Sequence, residues 1–155
     1  MSNTVPSFAG EWRDGVHFLP VRIYYEDTDF TGVVYHASYL RFFERGRSEY
    51  LRALGFHNGA LYADAVSALA FVVCRLTIDY VRPARIDDLT LVETMLTEVR
   101  GASFSVKHRI LRDDQVLAQG EVKLATVANG KPKTMPGPMR AALSANIRPA
   151  AGASP

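Results

Sequence analysis

One amphipathic helix followed by four strand-like segments, two of them joined to the next by two-residue breaks, leaves this chain few folds to adopt. The helix is read from Tyr39, Phe43, Tyr50 and Leu54 at helical spacing, joined by Leu40 and Leu51. Arg41, Glu44, Arg45 and Glu49 face elsewhere, and Gly55 is the expected stop. Gly46 costs such a helix up to ~1 kcal/mol relative to alanine, so its presence predicts close packing against a sheet. A weaker helix is expected over Ala60 to Ala68.

The strand-like segments are Phe71 to Tyr80, Leu89 to Val99, Ser103 to Leu111 and Val116 to Ala128, all rich in Val, Thr, Leu and Phe. The breaks at Arg100-Gly101 and Asp113-Asp114 are short enough to imply antiparallel hairpins. A further short strand is expected from Val21 to Tyr25, entered through Pro20. Together these give an α+β fold in which the sheet buries its apolar face against the helix. The body is expected to run from residue 16 to 143 as one domain, with tails at 1–15 and 144–155. Such a sheet has a long edge, which a second copy of the chain would cover by continuing it.

Composition narrows the function. Eighteen Lys and Arg against sixteen Asp and Glu leave a net charge of +2, too little for a nucleic-acid binder that depends on a basic stripe. The single cysteine, Cys74, excludes an internal disulfide and a cysteine-based zinc site. Its apolar strand predicts an inert, buried thiol. No signal peptide is read, and the longest apolar run, Ala68 to Cys74, falls far short of the ~20 residues a membrane helix needs. The expectation is a cytoplasmic domain without membrane insertion.

Chemistry concentrates in Tyr24 to His36, YYEDTDFTGVVYH, between the first strand and the long helix. Three readings fit these residues. A simple turn would explain Asp, Thr and Gly through local side-chain bonds to the backbone. Asp27-x-Asp29-x-Thr31-Gly32 imitates the start of a calcium loop, but Ser38 stands where a bidentate Glu is required, and a strand precedes it where a helix should. In the third reading, Asp29 is a catalytic carboxylate delivered just before a helix start, whose N–H groups and roughly +0.5 charge polarise a carbonyl. His36 lies beside that helix start.

Elsewhere the signals are weaker. There is no Gly-x-Ser-x-Gly elbow, phosphate loop or dinucleotide fingerprint. His17, His57 and His108 are scattered without metal-ligand spacing and read as surface or packing residues.

The segment YYEDTDFTGVVYHASYLRFFERGRSEYLRALG resembles the signature of the hotdog-fold acyl-CoA thioesterases. More narrowly it is similar to the 4-hydroxybenzoyl-CoA thioesterase group, in its Tol-Pal-associated, YbgC-type branch. The likeness continues through YVRPARIDDLTLVETMLTEVRGASF to KPKTMP and covers about Val21 to Pro136. It implies a long central helix wrapped by an antiparallel sheet, an active site at a dimer interface and, commonly, a homotetramer.

On this resemblance the catalytic carboxylate falls on Asp29, with His36 and Tyr25 as catalytic partners and Asp27 in support. Gly32 and Val33 at the turn become substrate contacts, and a backbone N–H near His36 would hold the thioester oxygen. No metal or redox cofactor is implied, because coenzyme A enters as part of the substrate. The basic phosphate anchor of the benzoyl-type relatives is reduced here to Arg100, with Arg82 and Arg85 as alternatives. Thr31 stands where the branch usually carries a smaller residue, which implies an altered pocket entrance. The expected reaction is hydrolysis of a short-chain, aromatic or longer acyl-CoA, with acyl carrier protein as an alternative acyl donor. The rival expectations are a non-catalytic binding protein serving the Tol-Pal envelope machinery and a dehydratase on the same fold.

Overall fold

A computed structural model describes residues 8–66 and 68–148. The elements in chain order are β1 (Glu11–Arg13), β2 (Val16–Arg22), a 3-10 turn (Tyr25–Asp27), α1 (Ser38–Ala53), α2 (Asn58–Ala63), β3 (Ala70–Tyr80), β4 (Leu89–Val99), β5 (Ser103–Arg112), β6 (Gln115–Ala128), β7 (Lys131–Pro132) and α3 (Gly137–Ser144). The strands form one antiparallel sheet in the order β1-β2-β4-β5-β6-β3, with β7 pairing the end of β6.

The long helix and the four long strands stand where the sequence places them, to within a residue at most ends. Helix α1 buries Tyr39, Phe42, Phe43, Gly46, Tyr50 and Leu51 against the sheet. Each fully buried aromatic or leucine contributes roughly 1.5–3 kcal/mol. At Gly46 the helix meets β4 so closely that a Cβ would lie 2.7 Å from Thr94 Oγ1 and 2.8 Å from Val92 Cγ1. The packing expected from that glycine is therefore present. Gly55, at φ +93°, ends the helix in a backbone region that favours glycine.

Several expectations need correction. The strand expected over Val21–Tyr25 is instead β2, Val16–Arg22, with Pro20 in its interior opposite Leu91. Proline is tolerated there because β1 covers only Val16–Phe18, so β2 is an open edge beyond that point. Part of the expected N-terminal tail belongs to the sheet: β1 turns into β2 through Asp14 (φ 52°) and Gly15 (φ 78°). Trp12 on β1 packs on Tyr50 with ring centroids 4.8 Å apart.

The second helix occupies Asn58–Ala63 rather than Ala60 to Ala68, and residue 67 lies outside the described residues. Past residue 143 the chain stays docked, with Arg148 N–H donating to Leu96 O at 2.7 Å. Residues 1–7 and 149–155 of the expected tails lie outside the described residues. Cys74 is exposed, not buried, because β3 is the edge strand, and Cys74 sits at a register shift between Val73 and Arg75. His17 and His108 are packing residues in the core, each about 1% exposed or less.

Candidate active site

Residues 28–34 form a tight hairpin that precedes α1. Thr28 pairs with Val34, and Asp29 N–H donates to Val33 O at 2.9 Å. Gly32, at φ +82°, makes the reversal that an L side chain resists. The hairpin is held to the loop after β3: Val34 N–H donates to Ala84 O at 2.8 Å, and Val33 bridges Arg85. Tyr35 N–H then reaches back to Asp27 O at 2.8 Å, which fixes the approach to the helix.

Asp29 sits on this hairpin with its carboxylate held from below. Thr31 N–H and Thr31 Oγ1 donate to Asp29 Oδ1 at 2.7 and 2.6 Å. The Thr31 hydroxyl and then its backbone N–H hold the Asp29 pKa below the ordinary carboxylate value; desolvation opposes them, and Val33 and His36 assist less than it opposes. Thr31, which the sequence marks only as an entrance residue, is thus the main partner of the carboxylate.

The start of α1 carries no acidic residue in its first turn and no side-chain cap at Ala37. His36 N–H has no protein acceptor among the described residues, while His36 O accepts a hydrogen bond from Tyr80 OH at 2.7 Å. A free N–H beside an unneutralised helix start is suited to an oxygen that gains negative charge. The His36 side chain is exposed, with its ring 4.4 Å from that of Tyr35.

Val33 and His36 line a pocket of about 270 Å³ together with Tyr39, Tyr80 and Arg82. Tyr39 OH accepts from Ala84 N–H at 3.1 Å, and the Tyr39 and Tyr80 rings meet edge to face at 5.3 Å. Burial raises the pKa of both tyrosines, so Tyr80 remains a neutral donor near pH 7. The sequence marks neither as a site residue: Tyr39 reads as core and Tyr80 as the end of a strand.

Other expected residues are not brought together within one chain. Tyr25 lies in the 3-10 turn, 84% exposed, with its backbone carbonyl engaged by Thr28 but its ring outside the pocket. Arg100 is bound to Glu98 at 2.8 Å in the β4–β5 turn, at the far end of the sheet from His36. The ten residues of β5 separate the two ends by about 30 Å. Arg82 and Arg85 do flank the pocket and hairpin. A larger cavity of about 600 Å³ lies between β2 and the outer face of α1; of the expected site residues only the supporting Asp27 lines it, and Asp29, His36 and Tyr25 do not.

A long helix held in one antiparallel sheet, with a carboxylate on the turn that leads into the helix, defines the hotdog-fold class of thioesterases. The chain belongs to the thioesterase-like superfamily, whose family model matches residues 24–143. It is 51% identical over 115 residues to "Acyl-CoA thioesterase YbgC" of Haemophilus influenzae, covering 74% of this chain and 83% of that protein. It is 45% identical over 120 residues to "Acyl-CoA thioester hydrolase YbgC" of Escherichia coli O6:H1, covering 76% and 87%. Among solved structures, a Bartonella henselae protein described as "Probable Thioesterase" superposes with a TM-score of 0.76 at 43% identity, over 78% of this chain and 99% of that one.

Proposed function

We propose that this protein hydrolyses acyl-CoA thioesters to a free acid and coenzyme A, with Asp29 as the catalytic carboxylate. The observation that supports this reading is the hairpin: it holds the Asp29 carboxylate on Thr31, within electrostatic reach of His36, and leads seven residues on to the unpaired His36 N–H at the helix start. The thioester oxygen sits on that N–H, which stabilises the negative charge developing there; a lost donor of this kind costs ~3–4 kcal/mol in the barrier.

Its lowered pKa makes Asp29 a weak general base, which favours direct attack on the carbonyl carbon. The new C–O bond forms as the C–S bond breaks, so coenzyme A leaves as thiolate and a mixed anhydride remains on Asp29. Water then cleaves the anhydride, returning the carboxylate and releasing the acid. His36 is assigned to orient that water. Arg82 and Arg85 are the nearer candidates within the chain for the coenzyme phosphates.

The reading extends to a homodimer joined along β3. That strand is open on its outer side, and Val72, Val73 and Tyr80 are exposed along it, with Val81 just past its end. An antiparallel β3–β3 pairing would bring the far end of the partner sheet toward the hairpin of this chain.

The test is thiol release from short, long and aromatic acyl-CoAs by the wild type and Asp29→Asn. Loss of turnover in a folded Asp29→Asn is the expected result. A single turnover in ¹⁸O-water identifies direct attack wherever label enters Asp29. Direct attack leaves label in the released acid or in Asp29, according to which anhydride carbonyl water strikes, whereas a general base never labels Asp29. Unchanged turnover in the variant would refute the assignment, and a wild type inert toward every thioester would favour a binding role.

A further inference from the structure

Helix α1 carries a cation on the face it turns toward the sheet. Arg47 follows Phe43 by four residues and precedes Tyr50 by three, which places it within the apolar stripe. Only 9% of it is exposed, and burial lowers its pKa against the attraction of Glu44. No acceptor among the described residues takes a hydrogen bond from its guanidinium, and Nη1 is sealed from solvent without a partner. A cation so placed is costly unless an anion answers it.

Arg47 also stands in the wall of a cavity of about 370 Å³ between α1, α2 and the start of β3. Leu51, Leu69, Phe71, Phe104 and Leu124 supply apolar walls, and the volume suits a small-molecule site. Asn58 and Ser48 satisfy each other at 3.2 Å. Glu44 lines the same cavity, so a dianion such as phosphate would meet repulsion and find no second cation. A planar monoanion with an apolar body meets half that repulsion and fits both the guanidinium and the apolar walls. A carboxylate pairs with a guanidinium through two parallel hydrogen bonds, and hydrocarbon gains from the walls.

We propose that this cavity binds a free apolar monocarboxylic acid, with its carboxylate on Arg47 and its alkyl or aryl body against Leu69, Phe71 and Phe104. Such acids are the class that thioester hydrolysis releases, yet the binding rests on Arg47 and the walls and does not require turnover.

Calorimetric titration of the full chain with straight-chain acids from butanoate to decanoate, and with the matched primary alcohols, tests the proposal. The acids should bind, tightening roughly fourfold per methylene until the cavity is full. They should exceed the matched alcohols by about tenfold or more. Arg47→Met should abolish that preference while leaving the alcohol series. Ala70→Phe, which places a ring in the cavity wall, should weaken both series. Should Arg47→Met fail to fold, Ala70→Phe and Arg47→Lys decide, the latter by keeping the charge and losing the planar fork. No acid binding, equal affinity for acids and alcohols, or acid binding that survives Arg47→Met would overturn the proposal. So would dissociation of an oligomer by Arg47→Met with acid binding unchanged, because a second copy would then supply the counter-anion.

Discussion

Replacing Gly46 with alanine sets helix propensity against packing, and the structure says which wins. Propensity alone favours alanine by about 1 kcal/mol. The added Cβ, however, would stand 2.7 Å from Thr94 Oγ1 and 2.8 Å from Val92 Cγ1. Both neighbours lie on β4 with no exposed surface, so neither can swing into solvent. If Thr94 rotates, it loses its 3.0 Å contact with His108 Nδ1, on a ring whose Nε2 already lacks a partner. Overpacking costs ~1–3 kcal/mol, and a buried polar group left unpaired costs about the same. After the propensity gain, a net loss of about 1–5 kcal/mol remains, or roughly 3–15 °C in Tm for a chain of this length. Differential scanning calorimetry reads this directly. Gly59→Ala is the control: it lies in α2 with no atom within 4 Å of the added Cβ, and it should leave Tm unchanged or raise it. A Gly46→Ala protein as stable as the wild type would refute the close approach of α1 to β4.

Two further outcomes follow from the titrating groups. Burial, reinforced by the charge of Arg47, holds the His108 pKa well below its ordinary value. The unfolded chain therefore takes up the proton first, and stability should decline as pH falls below about 6.5, at up to ~1.4 kcal/mol per pH unit. Urea midpoints between pH 8 and 5.5 should fall less steeply in His108→Gln, with His17 retaining its own smaller share; equal slopes would refute the assignment. Thr31→Ala should let the Asp29 pKa rise toward the ordinary carboxylate value, because the Thr31 hydroxyl is the main cause of its depression. A ¹³C-detected titration of the Asp29 carboxyl measures that shift, and no change would show that backbone groups alone hold it.

The helix and the long strands were legible because each announces itself within a dozen residues, through helical spacing or β-rich composition. Gly46 was legible for the same reason, as a local cost that only packing explains. The Asp14-Gly15 hairpin was also written in the chain, but three-residue β1 is too short to show a period, and the stretch reads as a tail. Strand order was not legible: β3 pairs with β6 and β2 with β4 through long connections, which local patterns do not encode. That order puts Cys74 on an edge and Arg100 far from His36. In the candidate site, Asp29, Gly32 and His36 were marked by type and spacing, whereas Tyr80 depends on a contact across 44 positions. Arg47 offered a signal, a cation in register with Phe43 and Tyr50, but spacing alone does not say whether such a residue is buried or snorkels out.

The placement of Cys74 gives the chain a built-in reporter. It is the only thiol in the sequence, and it lies exposed on the strand that would face a second copy. Its rate of alkylation therefore counts open edges. If chains join along β3, labelling per thiol should slow as protein concentration rises, and the concentration at half-protection would give the dimer dissociation constant without any mutation or tag.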